Sequence, residues 1–394
     1  MKILLLAPHP FYQERGTPID VLLVLRVLSQ RPGTTVDVLT YNEGVGVDLP
    51  NVRVHRIPAH RFLTGIPPGF SKRKLVCDAM MFAAAVRMAR SGGYDLVHAG
   101  EEAVFIAMHL KRRFGIPYAY DLDSSIAQQM VEQKPWMRPL AAMFDRLERR
   151  AIRGALINFP VCNALADLCE AAGSRRTVTL HDISQLASPG APGDGRLRRE
   201  TGATGPLVVY SGNLQSYQGI DLLLESFQLA LRDLPDLTLA VIGGAPTPVE
   251  IYRRKVRDLG IDRRCFILGP RPYGELDALL ADADILACPR IRGINTPMKI
   301  FAYLHSGRPV LATDLPTHNQ ILTPAEALLA PATPGGFAGG MVRLARDPAL
   351  REQLGRAGRA FVERDHVFAA HRRRLTEAYD WIEAQIRADP ASGP

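Results

Sequence analysis

The residues best suited to chemistry lie in the stretch 295–314, which begins Asn295-Thr-Pro-Met-Lys299. The pattern predicts a loop, a helix that Thr296 caps and Pro297 begins, a glycine turn at Gly307 and a buried strand. The start of such a helix exposes unpaired backbone N–H groups, and Lys299 adds a positive charge one turn in. These groups predict a phosphate or diphosphate site. An ordinary loop–helix–strand unit of a parallel sheet is the alternative.

A second candidate anion site lies near the amino terminus, in the loop 8–18 between a predicted strand and a predicted helix. Gly16 and Thr17 precede this helix, so they can present backbone N–H groups to a phosphate. Arg15 beside them can supply positive charge. The loop lacks the G-x-G-x-x-G pattern, which argues against a dinucleotide site.

Two residues that can move or hold a proton follow predicted strands of the first half. His98 ends the strand 95–98, where a histidine can do proton or hydrogen-bonding work. A buried structural histidine is the alternative reading. Asp123 follows the strand 117–121, and its alternative role, shared with Ser124, is to cap the next helix.

The elements that must position these residues alternate between short apolar runs and helical patterns. The predicted strands are 2–7, 36–40, 95–98, 117–121 and 155–160, and then 207–211, 237–242, 265–268, 285–288 and 310–313. The helices predicted in the first half are 19–29, 74–90, 103–114, 139–153 and 164–172. This alternation predicts βαβ units, parallel sheets and an α/β fold with two doubly wound domains. Ligands of such domains bind at the carboxyl ends of the strands.

The domain boundary is predicted in 184–206, a Pro- and Gly-containing segment without periodic hydrophobicity. The first domain is then 1–183 and the second 207–365. The chain looks helical from Phe337 onward, and a final segment 366–394 follows the second domain.

The composition is that of an ordinary globular protein, with 47% hydrophobic and 22% charged residues in 394. No apolar run is long enough to span a bilayer, and the five cysteines show no metal-binding spacing. These features predict a reduced, cytoplasmic protein without a metal site. The net charge of +8 indicates anionic partners, but no nucleic-acid module accompanies the basic clusters.

Two blocks resemble family 4 glycosyltransferases of the GT-B fold. Residues 297–310, PMKIFAYLHSGRPV, are similar to the family's donor-site segment, often PLKLFEYMASGRPVVATD. Residues 210–224, YSGNLQSYQGIDLLL, resemble the family's GRLxxxKGxDLLLEAF turn. The order and separation of the blocks fit as well.

The resemblance implies two Rossmann-like domains facing a central cleft, with a C-terminal helix that crosses back to the first domain. It implies transfer of a sugar, with retention, from a nucleoside diphosphate sugar to a hydroxyl of a carbohydrate or lipid-linked acceptor. The product would be a polysaccharide, glycolipid or glycoconjugate. No metal or resident cofactor is implied. Lys299 would stabilise the departing diphosphate, while Gly16, His98 and Asp123 would serve the acceptor and the transferred sugar.

The chain departs from the family at its usual charged contacts. Asn213, after Gly212, replaces an arginine, and Gln218 replaces a lysine; these two cations normally neutralise the diphosphate. The family's Glu-x7-Glu pair falls on Ile294 and Ala302, neither of which is acidic. Substrate contacts are therefore expected from Gly212, Asn213 and Gln218, and from the segment Asn295, Thr296, Pro297 and Met298.

Two loops complete the predicted contacts. Arg271 lies where the resemblance puts the nucleobase, on which it can stack; an exposed loop arginine is the alternative. The loop 62–74 combines apolar residues with Lys72-Arg-Lys74 and can contact the inner, anionic membrane surface peripherally. An exposed loop without that role is the alternative.

Three other functions compete with transfer. Loss of the family's acidic and basic pairs would suit a catalytically silent GT-B protein that binds a partner or a nucleotide sugar. A sugar-nucleotide epimerase of similar architecture would need no acceptor. A Rossmann oxidoreductase lacks its glycine fingerprint here.

Overall fold

The computed structural model describes residues 1–12, 16–60, 62–66, 71–126 and 139–388. They divide into two compact units: Met1–His181 with His371–Pro394, and Asp182–Ala370. Each unit contains one six-stranded parallel sheet. The predicted α/β fold with two Rossmann-like domains is therefore confirmed.

The sheet of the first unit has the strand order β3-β2-β1-β4-β5-β6. Its strands are β1 Lys2–Ala7, β2 Thr35–Thr40, β3 Val52–Arg56, β4 Leu96–Gly100, β5 Tyr118–Leu122 and β6 Ile157–Pro160. Strands β4 and β5 are buried along their whole length, as expected of strands covered on both faces. The order reverses between β1 and β4, so the loops after these two strands are where a ligand is expected.

Helices of the first unit connect these strands and cover the sheet. They are α1 Gly16–Ser29, α2 Lys72–Gly92, α3 Val104–Phe114, α4 Ala141–Gly154 and α5 Asn163–Ala171. Local chemistry fixes their ends: the Ser71 hydroxyl accepts from Lys74 N at 3.1 Å and caps α2. Gly115 ends α3 with a φ of 76°, a conformation that glycine adopts without strain.

The sheet of the second unit has the order β12-β11-β10-β7-β8-β9. Its strands are β7 Leu207–Ser211, β8 Thr238–Ile242, β9 Cys265–Gly269, β10 Ile285–Cys288, β11 Val310–Thr313 and β12 Leu328–Ala330. Its helices are α6 Arg196–Thr201, α7 Ile220–Ala230, α8 Pro246–Asp258, α9 Leu276–Ala281, α10 Lys299–His305, α11 Pro316–Asn319, α12 Pro334–Arg346 and α13 Pro348–Asp365. Here the order reverses between β7 and β10.

The last helix, α14 Phe368–Ala388, belongs to the first unit from His371 onward. Arg31, two residues after the end of α1, donates to Asp380 at 2.5 Å and to Glu383 at 2.6 Å. The guanidinium of Arg176 lies 4.7 Å from the centre of the Trp381 ring. Charge pairs and aromatic contacts therefore attach α14 to elements far away in the sequence.

The sequence reasoning missed β3, β12 and α6. β3 was not predicted because it is an edge strand with alternating apolar and polar residues, two of its five exposed and none buried. β12 has only three residues. The segment 184–206, predicted as the domain boundary, contains α6. The Asp282 carboxylate orders the start of this helix by accepting from the backbone N–H groups of Gly195 and Leu197, each at 2.8 Å.

No helix within the described ranges is long and apolar enough to cross a membrane. All five cysteines are free and buried.

Candidate functional site

The loops that follow β7 and β10 bring the predicted phosphate-binding residues together. Gly212 and Asn213 follow β7, and Lys299 begins α10 after the loop that leaves β10. Since β7 and β10 are paired neighbours at the reversal of strand order, these loops lie side by side. The structure thus brings the two predicted segments together, and their binding of a phosphate stays a prediction.

Lys299 is the centre of the group. Its Nζ donates to the hydroxyl of Tyr210 at 2.8 Å and to Oε1 of Gln218 at 3.2 Å. It also lies 4.0 Å from the centre of the Tyr210 ring. Burial lowers the pKa of the Lys299 ammonium to about 8, and the charge of Arg290 acts in the same direction. Tyr210 and Gln218 thus hold the ammonium in place, and no carboxylate among the described residues pairs with it.

Two glycines let the backbone approach this lysine. A Cβ on Gly212 would lie 2.3 Å from Lys299 Nζ, and the φ of 149° at Gly212 also disfavours a side chain. A Cβ on Gly219 would lie 2.0 Å from the carbonyl oxygen of Pro289, directly after β10. Larger residues at either position would separate the two loops, so glycine is a geometric requirement here.

Arg290 is a second buried cation near the site, and the sequence reasoning did not single it out. Its Nε donates to the carbonyl of Arg292 at 2.8 Å, and its Nη2 contacts Oδ1 of Asn295 at 3.4 Å. The guanidinium lies 5.3 Å from the centre of the Tyr217 ring. The signal that could have found it is its place directly after the buried strand β10 and Pro289.

The start of α10 differs from the prediction. The helix begins at Lys299, Met298 precedes it in helical conformation, and no side chain caps it. Thr296 therefore does not cap the helix. It lies two residues before Met298, which occupies the N-cap position. Its hydroxyl is buried without a hydrogen-bond partner among the described residues. Pro297 is buried, and its carbonyl accepts from Ile300 N at 2.9 Å.

A buried network behind the site fixes the loop after β10. The Thr313 hydroxyl donates to the carbonyl of Arg290 at 2.5 Å. His318 contacts Thr313 Oγ1 at 3.0 Å through Nδ1 and Cys288 Sγ at 3.2 Å through Nε2. Burial lowers the pKa of His318 to about 4, so this histidine is neutral at physiological pH.

The two uncharged replacements of the family's cations have definite places. Gln218 is buried and accepts from Lys299, as described above. Asn213 is exposed; its Oδ1 accepts from Gln215 N at 3.2 Å, and its backbone carbonyl accepts from the Tyr210 hydroxyl at 2.6 Å. Both residues therefore order the loop after β7 around the lysine.

Arg271, the residue predicted to stack on a nucleobase, follows β9 in the loop beyond Gly269. Its guanidinium makes an ion pair with Glu200 on α6. Because this ion pair is exposed, the Arg271 side chain is accessible from solvent. Its stacking on a nucleobase stays a prediction.

In the first unit, the predicted anion loop lies partly outside the described residues, because Arg15 is not among them. Gly16 is exposed at the start of α1, and the hydroxyl of Thr17 donates to the Glu101 carboxylate. Burial raises the pKa of Glu101 to about 7, and the neighbouring Glu102 acts in the same direction. Thr17 thus lies near a carboxylate at the reversal point of the first sheet.

His98 lies on β4 and is almost completely buried. Its Nδ1 contacts the Tyr379 hydroxyl of α14 at 2.7 Å, and its Nε2 contacts Asp121 Oδ2 at 3.3 Å. Its ring is stacked with those of Phe159 and Tyr379. Both nitrogens thus have partners inside the unit, as in the structural alternative. A role in proton transfer stays a prediction.

Asp123 directly follows β5 and is half-buried, at the carboxyl edge of the first sheet. A cluster that the sequence reasoning did not single out lies at the same edge. Lys74 forms an ion pair with Glu102 at 2.5 Å, and Asp78 accepts from the Tyr41 hydroxyl. Burial raises the pKa of Asp78 to about 6.

Two family models match most of the chain. One, described as "Glycosyl transferase 4-like domain", matches residues 21–182, and the other, "Glycosyl transferases group 1", matches residues 205–347. The first match covers β2 to β6, and the second covers β7 to β12 and contains Gly212, Gln218 and Lys299.

Individual proteins agree. The D-inositol 3-phosphate glycosyltransferase of Corynebacterium efficiens is 28% identical over 66% of this chain and 65% of its own length. The GDP-mannose-dependent alpha-(1-6)-phosphatidylinositol monomannoside mannosyltransferase of Mycolicibacterium smegmatis is 36% identical over 22% of this chain and 23% of its own. Sucrose-phosphate synthase from Thermosynechococcus elongatus shares the fold, with a TM-score of 0.80, 20% identity and coverage of 98% of this chain and 99% of that one. The chain is therefore a glycosyltransferase of the GT-B fold and of the family 4 type.

Proposed function

We propose that the chain moves a sugar from a nucleoside diphosphate sugar to an acceptor hydroxyl, and that the second unit binds the donor. The observation that carries this proposal is the position of Lys299. Its ammonium lies between the loops after β7 and β10, against a glycine, and has no carboxylate partner among the residues with described coordinates. A diphosphate would supply the missing negative charge.

The chemistry requires stabilisation of the departing diphosphate. Lys299 can do this directly, because an ammonium already fixed by Tyr210 and Gln218 needs little reorganisation when charge develops on the leaving group. The buried guanidinium of Arg290 adds positive potential nearby. Asn213 and Gln218 replace the usual cations, so in this chain the positive charge comes from the α10 side of the site.

Other residues are proposed to contact the transferred sugar and the acceptor. Asn295 and Thr296 are proposed to contact the sugar, and the buried, unpartnered hydroxyl of Thr296 supports this role. His98, Asp123 and Gly16 of the first unit stay predictions for the acceptor. We extend to the chain the family's retention of anomeric configuration and its lack of a metal or resident cofactor.

The acceptor is proposed to be a carbohydrate or a lipid-linked sugar. This proposal takes its support from the relatives named above, one named for an inositol phosphate and the other for a phosphatidylinositol mannoside. A lipid-linked acceptor would place the protein in the cytoplasm with peripheral contact to the inner membrane surface. The products would be polysaccharides, glycolipids or other glycoconjugates.

A thermal-shift screen with UDP-, GDP-, ADP- and TDP-sugars tests the donor site, because bound ligand raises the unfolding temperature by mass action. One nucleotide class should stabilise the wild type, and the same ligand should have little effect on Lys299→Met. Equal stabilisation of both proteins would contradict the assignment of Lys299.

Product analysis separates transfer from the alternatives. The absence of acids at Ile294 and Ala302 leaves a silent nucleotide-sugar binder as the second candidate. Such a protein would bind the donor and release no nucleoside diphosphate with any acceptor. An epimerase would change the donor's sugar without acceptor, whereas a transferase releases nucleoside diphosphate and glycosylates the acceptor.

A further inference from the structure

The two loops of the proposed donor site contain cations and no acid. The loop 212–219 after β7 carries no charged residue. The loop 289–299 after β10 carries no Asp or Glu and three cations: Arg290, Arg292 and Lys299. The family pattern described above combines an arginine and two lysines with two glutamates. In this chain the number of cations is the same and both acids are missing, so the site favours a donor with more negative charge than a diphosphate alone.

The structure holds Arg290 in a defined place. This residue is 8% exposed, and its Nε donates to the carbonyl of Arg292 at 2.8 Å. The guanidinium lies 5.3 Å from the centre of the Tyr217 ring, within the range of a cation–π contact. A Cβ on Gly293 would lie 2.3 Å from Nη2 of Arg290, and the φ of 98° at Gly293 also favours glycine. A carbonyl, an aromatic ring and a glycine thus make room for the guanidinium and orient it.

The neighbours of Arg290 place it on the sugar side of the donor site. Its Nη2 contacts Oδ1 of Asn295 at 3.4 Å, and Asn295 is one of the residues proposed to contact the transferred sugar. The Thr317 hydroxyl fixes this asparagine by donating to its carbonyl at 2.8 Å. The charge of Arg290 also lowers the pKa of the Lys299 ammonium, so the two cations lie close enough to act on the same ligand.

The strand order assigns the other end of the donor to the opposite side. β10 lies on one side of β7, while β8 and β9 lie on the other. Lys299 contacts Tyr210 of β7, Arg290 follows β10, and Arg271, the predicted base contact, follows β9. A donor with its diphosphate on Lys299 and its base toward β9 therefore directs its sugar toward Arg290.

We propose that the transferred sugar carries a carboxylate, so that the donor is a nucleoside diphosphate uronic acid, and that Arg290 binds this carboxylate. The inference rests on the proposed donor site and names its substrate class. A guanidinium binds a carboxylate through two parallel, charge-assisted hydrogen bonds, which a neutral sugar hydroxyl does not provide. Arg292, exposed two residues further along, adds positive potential for the same group.

Calorimetric titration of matched donors tests the substrate class. The pairs are UDP-glucuronate with UDP-glucose, UDP-galacturonate with UDP-galactose and GDP-mannuronate with GDP-mannose, and free UDP and GDP are titrated beside them. In one pair the uronate should bind the wild type about tenfold to hundredfold more tightly than its neutral partner, as expected for a hydrogen-bonded charge pair. This preference should be absent from Arg290→Gln and reduced in Arg290→Lys, which keeps the charge and lacks the planar fork.

Arg351 on α13 offers a matched control. Like Arg290 it donates to backbone carbonyls, those of Leu344 at 2.6 Å and Ala345 at 2.8 Å. These carbonyls lie at the end of α12, which returns from β12 to the amino edge of the sheet, away from the loops after β7 and β10. Arg351→Gln should therefore keep the affinity ratio of every pair. Binding of free nucleoside diphosphate shows that a variant is folded, and in Arg290→Gln it should weaken much less than binding of the uronate.

Three results would overturn the substrate class. The first is a wild type that binds no uronate more tightly than its neutral partner. The second is a preference for the uronate that survives in Arg290→Gln. The third is an equal loss of affinity for the uronate and for free nucleoside diphosphate in this variant, which would assign Arg290 to the diphosphate.

Lys299→Met separates this inference from the donor site itself. If this variant binds free nucleoside diphosphate weakly and the wild type shows no preference for a uronate, the substrate class alone is rejected. If Lys299→Met binds free nucleoside diphosphate as the wild type does, or the wild type binds no nucleotide at all, the proposed donor site is rejected and the inference with it.

Discussion

Replacing Lys299 by methionine should remove activity without destabilising the protein. Lowering the lysine pKa from its ordinary 10.5 to about 8 costs the folded, charged state about 3 kcal/mol. Methionine has a similar length and escapes this cost. It forfeits the hydrogen bonds to Tyr210 and Gln218, each worth about 1 kcal/mol. The net expectation is a variant more stable by about 1 kcal/mol, or about 2–4 °C in Tm.

The pH dependence of the stability difference between Lys299→Met and the wild type tests whether the buried charge causes it. Below pH 8 the lysine is charged in both the folded and the unfolded state, so the cost of burying the charge is fully present. Between pH 8 and 10.5 the folded protein loses its proton first, and the cost decreases as the pH rises. The stability advantage of Lys299→Met should therefore be largest below pH 8 and fade above it.

Differential scanning calorimetry across this pH range measures the effect, and kcat for transfer should fall about a hundredfold to a thousandfold. Lys255→Met is the matched control, since Lys255 pairs with Asp221 at 2.5 Å and its pKa is raised. Its replacement should lower Tm slightly and leave kcat unchanged. A Tm of Lys299→Met several degrees below that of the wild type at neutral pH would refute the reasoning.

Donor affinity should decrease as the pH rises through about 8, because the diphosphate binds the protonated form of Lys299. Calorimetry in two buffers should show proton uptake on donor binding above that pH. A donor affinity that does not change with pH would contradict this role of Lys299. Gly212→Ala should lower kcat by about tenfold or more, because its Cβ would displace the ammonium 2.3 Å away, whereas Gly335→Ala, with open space around it, should have no effect. Tyr379→Phe should reduce the free energy of unfolding by about 1 kcal/mol, because the contact with His98 is lost; denaturant titration measures this change. The thermal shift induced by the donor should stay as in the wild type.

Buried strands were the most predictable part of the fold. β1, β7, β10 and β11 have the bounds that their apolar runs predicted, because strands covered on both faces contain few polar residues. The edge strand β3 and the short β12 carry no such signal. α6 escaped prediction because the carboxylate that orders it, Asp282, lies far away in the sequence.

The donor side of the site was predictable only as residue types. Lys299, Gly212 and Gln218 were named from the sequence, and the structure brings them together. The sequence did not indicate that Tyr210 accepts a hydrogen bond from Lys299, because a tyrosine inside an apolar strand is usually a core residue. The proposed cap by Thr296 was wrong, since helix starts are uncertain by a residue or two and this helix begins later.

The first unit is discontinuous in the chain, because α14 returns to it after the whole second unit. A fragment ending at His181 would lack Tyr379 and the acids that pair with Arg31, leaving part of its interior open to water. The second unit can be cut out as one uninterrupted stretch, but the first needs residues from 371 onward joined back through an artificial linker. Deletions or bulky tags at the carboxyl terminus should therefore destabilise the first unit, most of which is synthesised first.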